Sequence, residues 1–489
     1  MLVMTERLSD SHIPSPGSQL PYRGPFFFCG IGGSGMLPLA LILRARGFDV
    51  EGSDRSLDAG RTSEKFAFLT TRGIRLHPQD GSGLRSRDQI LVTSAAVEDT
   101  VPDVVAARTL GCPELKRPEL LAQLVNSAGL SVAVGGTSGK STTTGMIAWI
   151  LYANRCDPTV MNGAVMKNFV AGDFPFASAI IGEGEAFVSE VDESDGSISL
   201  YSPTIAVLNN IALDHKSMPE LRELFSDFVA RARIAVLNLD NDETRRLVRE
   251  IGHPDMRTFS LSDTTADFSV SDLITQPDGQ SCIVTEKSTG DRQRLCLQIP
   301  GRHNLSNGLA AIAAARACGL TLRQATTALM NFTGIRRRLE VTGVVKDITV
   351  IDDFAHNPDK ISATLTTLHQ YPGRLLIMWQ PHGYGPIRQM KNDLIETFVR
   401  ELGPSDILFI PEPIYFGGTV DRSIGSALIA EGVVAGGRSA FATADRATCG
   451  DRLVELAAPG DIIVVMGARD DTLSDFAAEL LTRLSQKDI

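Results

Sequence analysis

The sequence has 489 residues, with 47 lysines and arginines against 58 aspartates and glutamates (formal net charge −11), and 43% hydrophobic but only 6% aromatic residues. At roughly 100–200 residues per domain this is a globular chain of two to four domains, and its acidic balance argues against a nucleic-acid partner, since affinity for a phosphate backbone comes from grouped Lys and Arg. No run of about 18 uncharged apolar residues occurs, and Glu6 and Asp10 stand where a secretory leader needs an apolar stretch, so no membrane insertion and a cytoplasmic location are expected.

In chain order, residues 1–22 are polar, carry Pro14, Pro16 and Pro21, and are expected to form a flexible extension. Beyond them short apolar strands alternate with amphipathic helices: Phe26 to Ile31 then Met36 to Arg46, Ile90 to Thr93, Ser131 to Val134 then Ser141 to Tyr152, and Ile205 to Leu208. Later strands are Arg374 to Trp379, Asp406 to Ile410 and Asp461 to Met466. Strands that are nearly all apolar are buried on both faces, as in parallel sheets covered by helices, so the fold class is α/β. Two glycine-rich strand-to-helix turns about a hundred residues apart predict two nucleotide-binding units, and the last third has its own strand and helix alternation. Boundaries near 128 and 332 divide the chain into 23–128, 129–332 and 333–489: a Rossmann-like domain, a central P-loop ATPase-like parallel sheet, and a second Rossmann-like domain. The more polar stretch Asp263 to Gln298 reads as a small antiparallel addition to the middle domain. The seven cysteines are scattered and never arranged as CxxC, so they are expected as small apolar residues and not as a disulfide framework or zinc site.

The first turn, FFFCGIGGSGM, satisfies G-x-G-x-x-G with Gly30, Gly32 and Gly35, with Gly33 and Ser34 between them. Such a turn lets backbone N–H groups at a helix N-terminus approach a diphosphate; a turn that only packs helix on sheet is the alternative. Asp54 at the end of the next strand, and Ser94 in the small-residue turn Thr93-Ser94-Ala95-Ala96, favour a nucleotide diphosphate. In the second turn, Gly136-Thr137-Ser138-Gly139-Lys140-Ser141 has the G-K-S core of a phosphate loop, shortened because Val132 and Val134 stand where an earlier glycine would. Its amides and the Lys140 ammonium can cradle β- and γ-phosphates, while Ser141 or Thr142 reaches Mg²⁺. Further metal ligands are available in the acidic run Glu190 to Asp195 and in Asn209, Asn210, Asp214 and His215, all after strands. Downstream, Gly301 to Asn307 leads into an Ala-rich helix read as Gly308 to Cys318. Asn304 and Asn307 can read adenine edges, although taken alone they read as a helix cap. Arg336-Arg337-Arg338 is a solvated charge run or a source of cations for a γ-phosphate.

Taken in order, GIGGSGM, EGSD, GTSGKST, EVDESD, NNIALDH, GRHN, RRRLE and DDFAHNP resemble the Mur ligase family, the ATP-dependent amide-forming enzymes of peptidoglycan assembly, from about residue 24 to the end. The resemblance implies that the first domain binds a UDP moiety, the middle one MgATP, and the third the incoming amine. It implies Ser141, Glu190 and His215 around the metal, Lys140, Glu190, His215 and Arg338 in catalysis, Asn304 and Asn307 at adenine, and Arg338 and Asp353 as further ATP contacts. The chain looks most like members that act on UDP-N-acetylmuramate itself, with L-alanine or a similar amino acid as the amine. That implies an amine site around His356, His382, Tyr384 and Arg388. Gly383 and Pro386 stand where such members usually carry arginines that could pair with the amino-acid carboxylate, while Phe354-Ala355-His356 in place of Tyr-Gly-His, and NNIALDH, resemble members that take a whole peptide as the amine. A catalytically idle relative that only binds UDP-muramoyl ligands is the alternative from another class. The oligomeric state is left open.

Overall fold

The computed structural model describes Leu20 and residues 24–172, 174–213, 216–276, 279–413, 425–468, 470 and 472–487; the expected extension lies, apart from Leu20, outside the described residues. Three sheets follow one another along the chain. The first contains β1 (Phe26–Cys29), β2 (Val50–Ser53), β3 (Arg75–His77), β4 (Ile90–Thr93) and β5 (Glu114–Lys116), all parallel, in the order β3-β2-β1-β4-β5. The order reverses between β1 and β4, and the crevice at such a switch point is where open α/β sheets take ligands. Gly30 and Ser94 follow these two strands directly.

The second sheet begins with β6 (Leu130–Gly135), β7 (Thr159–Met161), β8 (Ala179–Ile180), β9 (Ala186–Glu190) and β10 (Ile205–Leu208). It continues with β11 (Ile234–Asn238), β12 (Met256–Ser260), β13 (Phe268–Gln276), β14 (Gly279–Glu286) and β15 (Arg292–Leu297). The order is β15-β14-β13-β12-β11-β10-β6-β9-β7-β8. β13 joins β12 in parallel, with Phe259 opposite Phe268, so the polar stretch after Asp263 extends the central sheet. β6 runs parallel between β9 and β10, which brings the chain ends after all three strands to one edge.

The third sheet contains β16 (Glu340–Val345), β17 (Ile348–Asp353), β18 (Leu375–Gln380), β19 (Ile407–Pro411), β20 (Ser439–Thr443) and β21 (Ile462–Gly467), ordered β16-β17-β21-β18-β19-β20 with only β16 antiparallel. Alternate residues of its central strands feed different cores. Leu375, Ile377 and Trp379 pack with Val464 and Met466 against the helices Pro358–Leu368 and Tyr384–Glu401. Leu376 and Met378 pack with Ile463 and Val465 against Thr472–Gln486. This period of two explains why β21, and β18 as far as Trp379, are apolar.

By density of contacts the chain divides into two compact units. One comprises residues up to Ile274 with Ser281–Gln298 and Asn304–Thr333; the other comprises Gly334–Ile489 with Thr275–Gln280 and Ile299–His303. The first sheet, and the second apart from the end of β13 and the start of β14, therefore lie in one unit. An aromatic clasp joins them: the Phe68 ring meets Phe174 and Phe176 at 5.5 Å each, and Arg72 lies over Phe68 and Phe174. Among the described residues no helix is long and apolar enough to cross a membrane. All seven cysteines are free, four buried and three half-buried.

Candidate active site

The phosphate-loop segment links β6 to the helix Lys140–Ala153. Gly136 (φ +128°) and Gly139 (φ +82°) take left-handed backbone that side chains avoid, and a Cβ on Gly139 would run into the Asn307 and Asn209 amides. The turn is held from outside by the segment after β10. Thr137 N–H donates to the Asn210 carbonyl (3.1 Å), Ser138 N–H to Asn210 Oδ1 (2.9 Å), and Asn209 Nδ2 to Thr143 Oγ1 (2.9 Å). Asn209 and Asn210, candidate metal ligands by sequence, thus shape the loop. Thr142 is buried beside it.

Lys140 Nζ donates to the Gly136 carbonyl (2.8 Å) and to Glu193 Oε2 (2.7 Å). Burial works against its charge, but Glu193, with Asp192 and Glu190 adding to it, holds the ammonium above its ordinary value. Ser141 Oγ donates to Glu190 Oε2 at 2.7 Å, and Gly163 leaves room for that carboxylate, since a Cβ there would meet Glu190 Oε1. A hydroxyl and a carboxylate side by side are the hard oxygen donors that Mg²⁺ takes, with water and phosphate completing its shell. His215, the third predicted ligand, lies outside the described residues.

Asn304 and Asn307 sit inside the helix Arg302–Ala317, which starts six residues before the sequence reading placed it, so neither is a cap. Both are buried; Asn307 Nδ2 donates to Asn304 Oδ1 (3.4 Å) and Asn307 Oδ1 accepts from Asn209 Nδ2 (3.5 Å). The adenine candidates therefore stand beside Gly139.

In the first sheet's turn, the amides of Gly30 and Ile31 both donate to the Ser53 carbonyl, and Gly33 N–H to the Gly30 carbonyl. Gly32 N–H donates to Asp54 Oδ2 (2.9 Å) and Ser56 N–H to Asp54 Oδ1 (2.8 Å), so Asp54 braces the turn and caps the next helix. Among the described residues this leaves the Ser34 and Gly35 amides, at the start of the helix Met36–Ala45, unused by the turn itself. Arg117, which sequence reasoning passed over, packs so closely that a Cβ on Gly35 would lie 3.1 Å from its Cδ and 3.3 Å from its Nε. Its nearest acidic neighbour is Asp195 at 4.0 Å, beyond hydrogen-bond reach. A cavity of about 80 Å³ is lined by Gly35, Arg117, Lys140, Asn162, Glu190 and Asp192, with space for a few waters. The glycine turn and the phosphate loop thus open onto one space.

In the other unit the arginine run resolves into three different environments. Arg336 is exposed. Arg337 is buried, with Nε on Asp352 Oδ1 (3.3 Å) and its Nη atoms on the Asp470 (2.9 Å) and Gly467 (2.8 Å) carbonyls. Arg338 lies over the Phe354 ring at 4.6 Å. Asp353 accepts from Leu339 N–H (2.7 Å), Ala355 N–H (3.2 Å) and Thr364 Oγ1 (2.7 Å), fixing the arginine segment to β17. The rings of His356 and His382 meet edge to face at 5.1 Å, and His356 Nδ1 is 2.9 Å from the Phe354 carbonyl. Burial, with Lys360 and His382 adding to it, holds His356 well below the usual imidazole value, so the ring is neutral at pH 7. Tyr384 and Arg388 are four apart at the start of the helix Tyr384–Glu401 and share a face, with Gly383 (φ +149°) as its N-cap.

Comparison with known proteins matches the family description "Mur ligase family, catalytic domain" to residues 25–128, "Mur ligase middle domain" to 134–315 and "Mur ligase, glutamate ligase domain" to 337–469. The UDP-N-acetylmuramate–L-alanine ligase of a Jannaschia species is 34% identical over 488 residues, 96% of this chain and 98% of that one. The chain belongs to the Mur ligase family. A second relative of the same name, from Ruegeria pomeroyi, is 34% identical over 96% of this chain and 99% of its own. Among solved Mur ligases, the UDP-N-acetylmuramate-alanine ligase of Thermotoga maritima superposes with a TM-score of 0.76 at 25% identity, covering 95% of this chain and 100% of that one. A murein peptide ligase from Psychrobacter arcticus shares the fold, with a TM-score of 0.71 at 23% identity over 96% of this chain and 100% of its own.

Proposed function

We propose that this Mur ligase joins the carboxylate of UDP-N-acetylmuramate to the amine of L-alanine, with cleavage of ATP, in cytoplasmic synthesis of peptidoglycan precursors. The observation that carries the reading is the set Lys140, Ser141 and Glu190 at one loop, within a cavity shared with the glycine turn, in a chain one-third identical over nearly its whole length to ligases of that name.

The carboxylate oxygen attacks the γ-phosphorus, the bond to the bridging oxygen breaks, and ADP leaves with an acyl phosphate formed. The amine then attacks the acyl carbon, loses a proton, and expels inorganic phosphate. Little covalent work falls to side chains, so they act by position and charge. Lys140 neutralises the transferred phosphoryl group, and the Ser34 and Gly35 amides with Arg117 take the diphosphate. Asn304 and Asn307 meet adenine. Ser141, Glu190 and His215 would hold Mg²⁺, which supplies further charge neutralisation on the phosphates. Arg338, steadied by Phe354 and by the Asp353 anchor, offers a second cation to ATP. His356, His382, Tyr384 and Arg388 form the amine side.

A screen that varies only the amine tests this. With MgATP and UDP-N-acetylmuramate held constant, phosphate release is expected with L-alanine. Release with L-alanyl-γ-D-glutamyl-diaminopimelate and none with L-alanine would replace the reading by that of a peptide ligase.

A further inference from the structure

The acidic run that ends β9 brings two carboxylates to the phosphate loop, half-buried Glu190 and buried Glu193. Glu190 faces the Ser141 hydroxyl, whereas Glu193 has no place in the reaction described above. Its side chain is only 4% exposed, and the Lys140 ammonium at 2.7 Å is its partner. Of that ammonium's two acceptors, the Gly136 carbonyl belongs to the loop itself and Glu193 comes from 53 residues away. A cation on a phosphate loop is present to meet the β- and γ-phosphates, yet in this structure a protein carboxylate takes it.

We propose that Glu193 is a positioning residue that stands in for the γ-phosphate, holding Lys140 over the loop until a triphosphate displaces it. The inference rests on the ATP-dependent reading of this loop. Two consequences follow from the pairing. Binding a triphosphate must loosen a buried ion pair and bring new negative charge towards the Glu193 carboxylate, so Glu193 weakens ATP binding. It also keeps the ammonium ordered at the Gly136 carbonyl, so that Lys140 need not be recruited from solvent when the phosphate arrives.

Equilibrium binding of ATP and of AMP to the full chain, in chelator and without added metal, tests this separately from turnover. Glu193→Gln is expected to tighten ATP on the order of fivefold, about 1 kcal/mol, and to leave AMP unchanged, because AMP does not reach Lys140. Glu193→Asp, which keeps the charge but shortens the reach, is expected to fall between wild type and Glu193→Gln. In a Lys140→Ala background the Gln substitution is expected to change ATP affinity by less than about twofold, the non-additivity that marks a direct pair. ATP affinity unchanged or weakened in Glu193→Gln, or the same change with and without Lys140, would overturn the proposal. Should Glu193→Gln fail to fold, Glu193→Asp carries the test alone, and wild-type affinity in it would count against the proposal. If the wild-type chain binds no ATP at all, the ATP-dependent reading fails instead.

Discussion

Lys140→Ala is expected to lower turnover about a thousandfold while leaving the affinity for the UDP substrate within about twofold of wild type. The ammonium is the one cation that the phosphate loop itself supplies, and its role is to offset charge that gathers on the transferred phosphoryl group. The substitution has a second effect that must be kept apart from the first. Removing Lys140 leaves Glu193, 4% exposed, without its partner, and an uncompensated buried carboxylate costs about 3–5 kcal/mol of stability. The double variant Lys140→Ala, Glu193→Gln is therefore expected to regain most of the lost thermal stability and none of the lost turnover. Recovery of turnover together with stability would mean that Lys140 serves the fold and not the phosphate. Steady-state phosphate release and thermal unfolding of the three proteins separate these outcomes.

Arg337→Ala is expected to destabilise its unit by about 3–5 kcal/mol, the largest loss among substitutions in the arginine run. Its guanidinium meets Asp352, 1% exposed, the buried Gly467 carbonyl and the partly buried Asp470 carbonyl, and the first two are left without a partner when the side chain is gone. Exposed Arg336→Ala is expected to stay within about 0.5 kcal/mol of wild type. A pH dependence follows. Burial already pushes the Asp352 carboxyl up, with Arg337 and Ser474 opposing it, and loss of Arg337 pushes it further. A carboxyl whose value is raised in the folded state binds more protons there than in the unfolded chain, so its penalty grows as pH rises through that range. Denaturant unfolding should therefore show a larger deficit for Arg337→Ala at pH 7 than at pH 5. An equal deficit at both would place the loss in the carbonyl contacts alone.

Much of the architecture was legible because it depends on runs of like residues. Ile205–Leu208 is apolar throughout and Ile90–Thr93 apolar up to its closing threonine, and their bounds in the fold are those read from sequence. The second glycine turn was equally legible, since left-handed backbone at Gly136 and Gly139 needs the residue type that marks it. What escaped depends on which backbone donor a side chain meets. Asp54 and Asp353 read as carboxylates offered to a ligand, but each takes donors from its own surroundings, and amide positions leave no trace in sequence. Asn304 and Asn307 read as caps because Asn favours helix starts, yet the helix begins earlier, at Arg302. Glu193 differed in nothing from its acidic neighbours until the fold set it against Lys140. Arg117 lacked any motif; only its packing on Gly35 brings it to the cavity.

Attack of the muramoyl carboxylate on ATP can be followed through that carboxylate's own oxygen. UDP-N-acetylmuramate carrying heavy oxygen in its carboxylate, incubated with MgATP, L-alanine and the enzyme, is expected to deliver one labelled oxygen into each inorganic phosphate released. Phosphate free of label, with amide formed, would contradict the acyl-phosphate route.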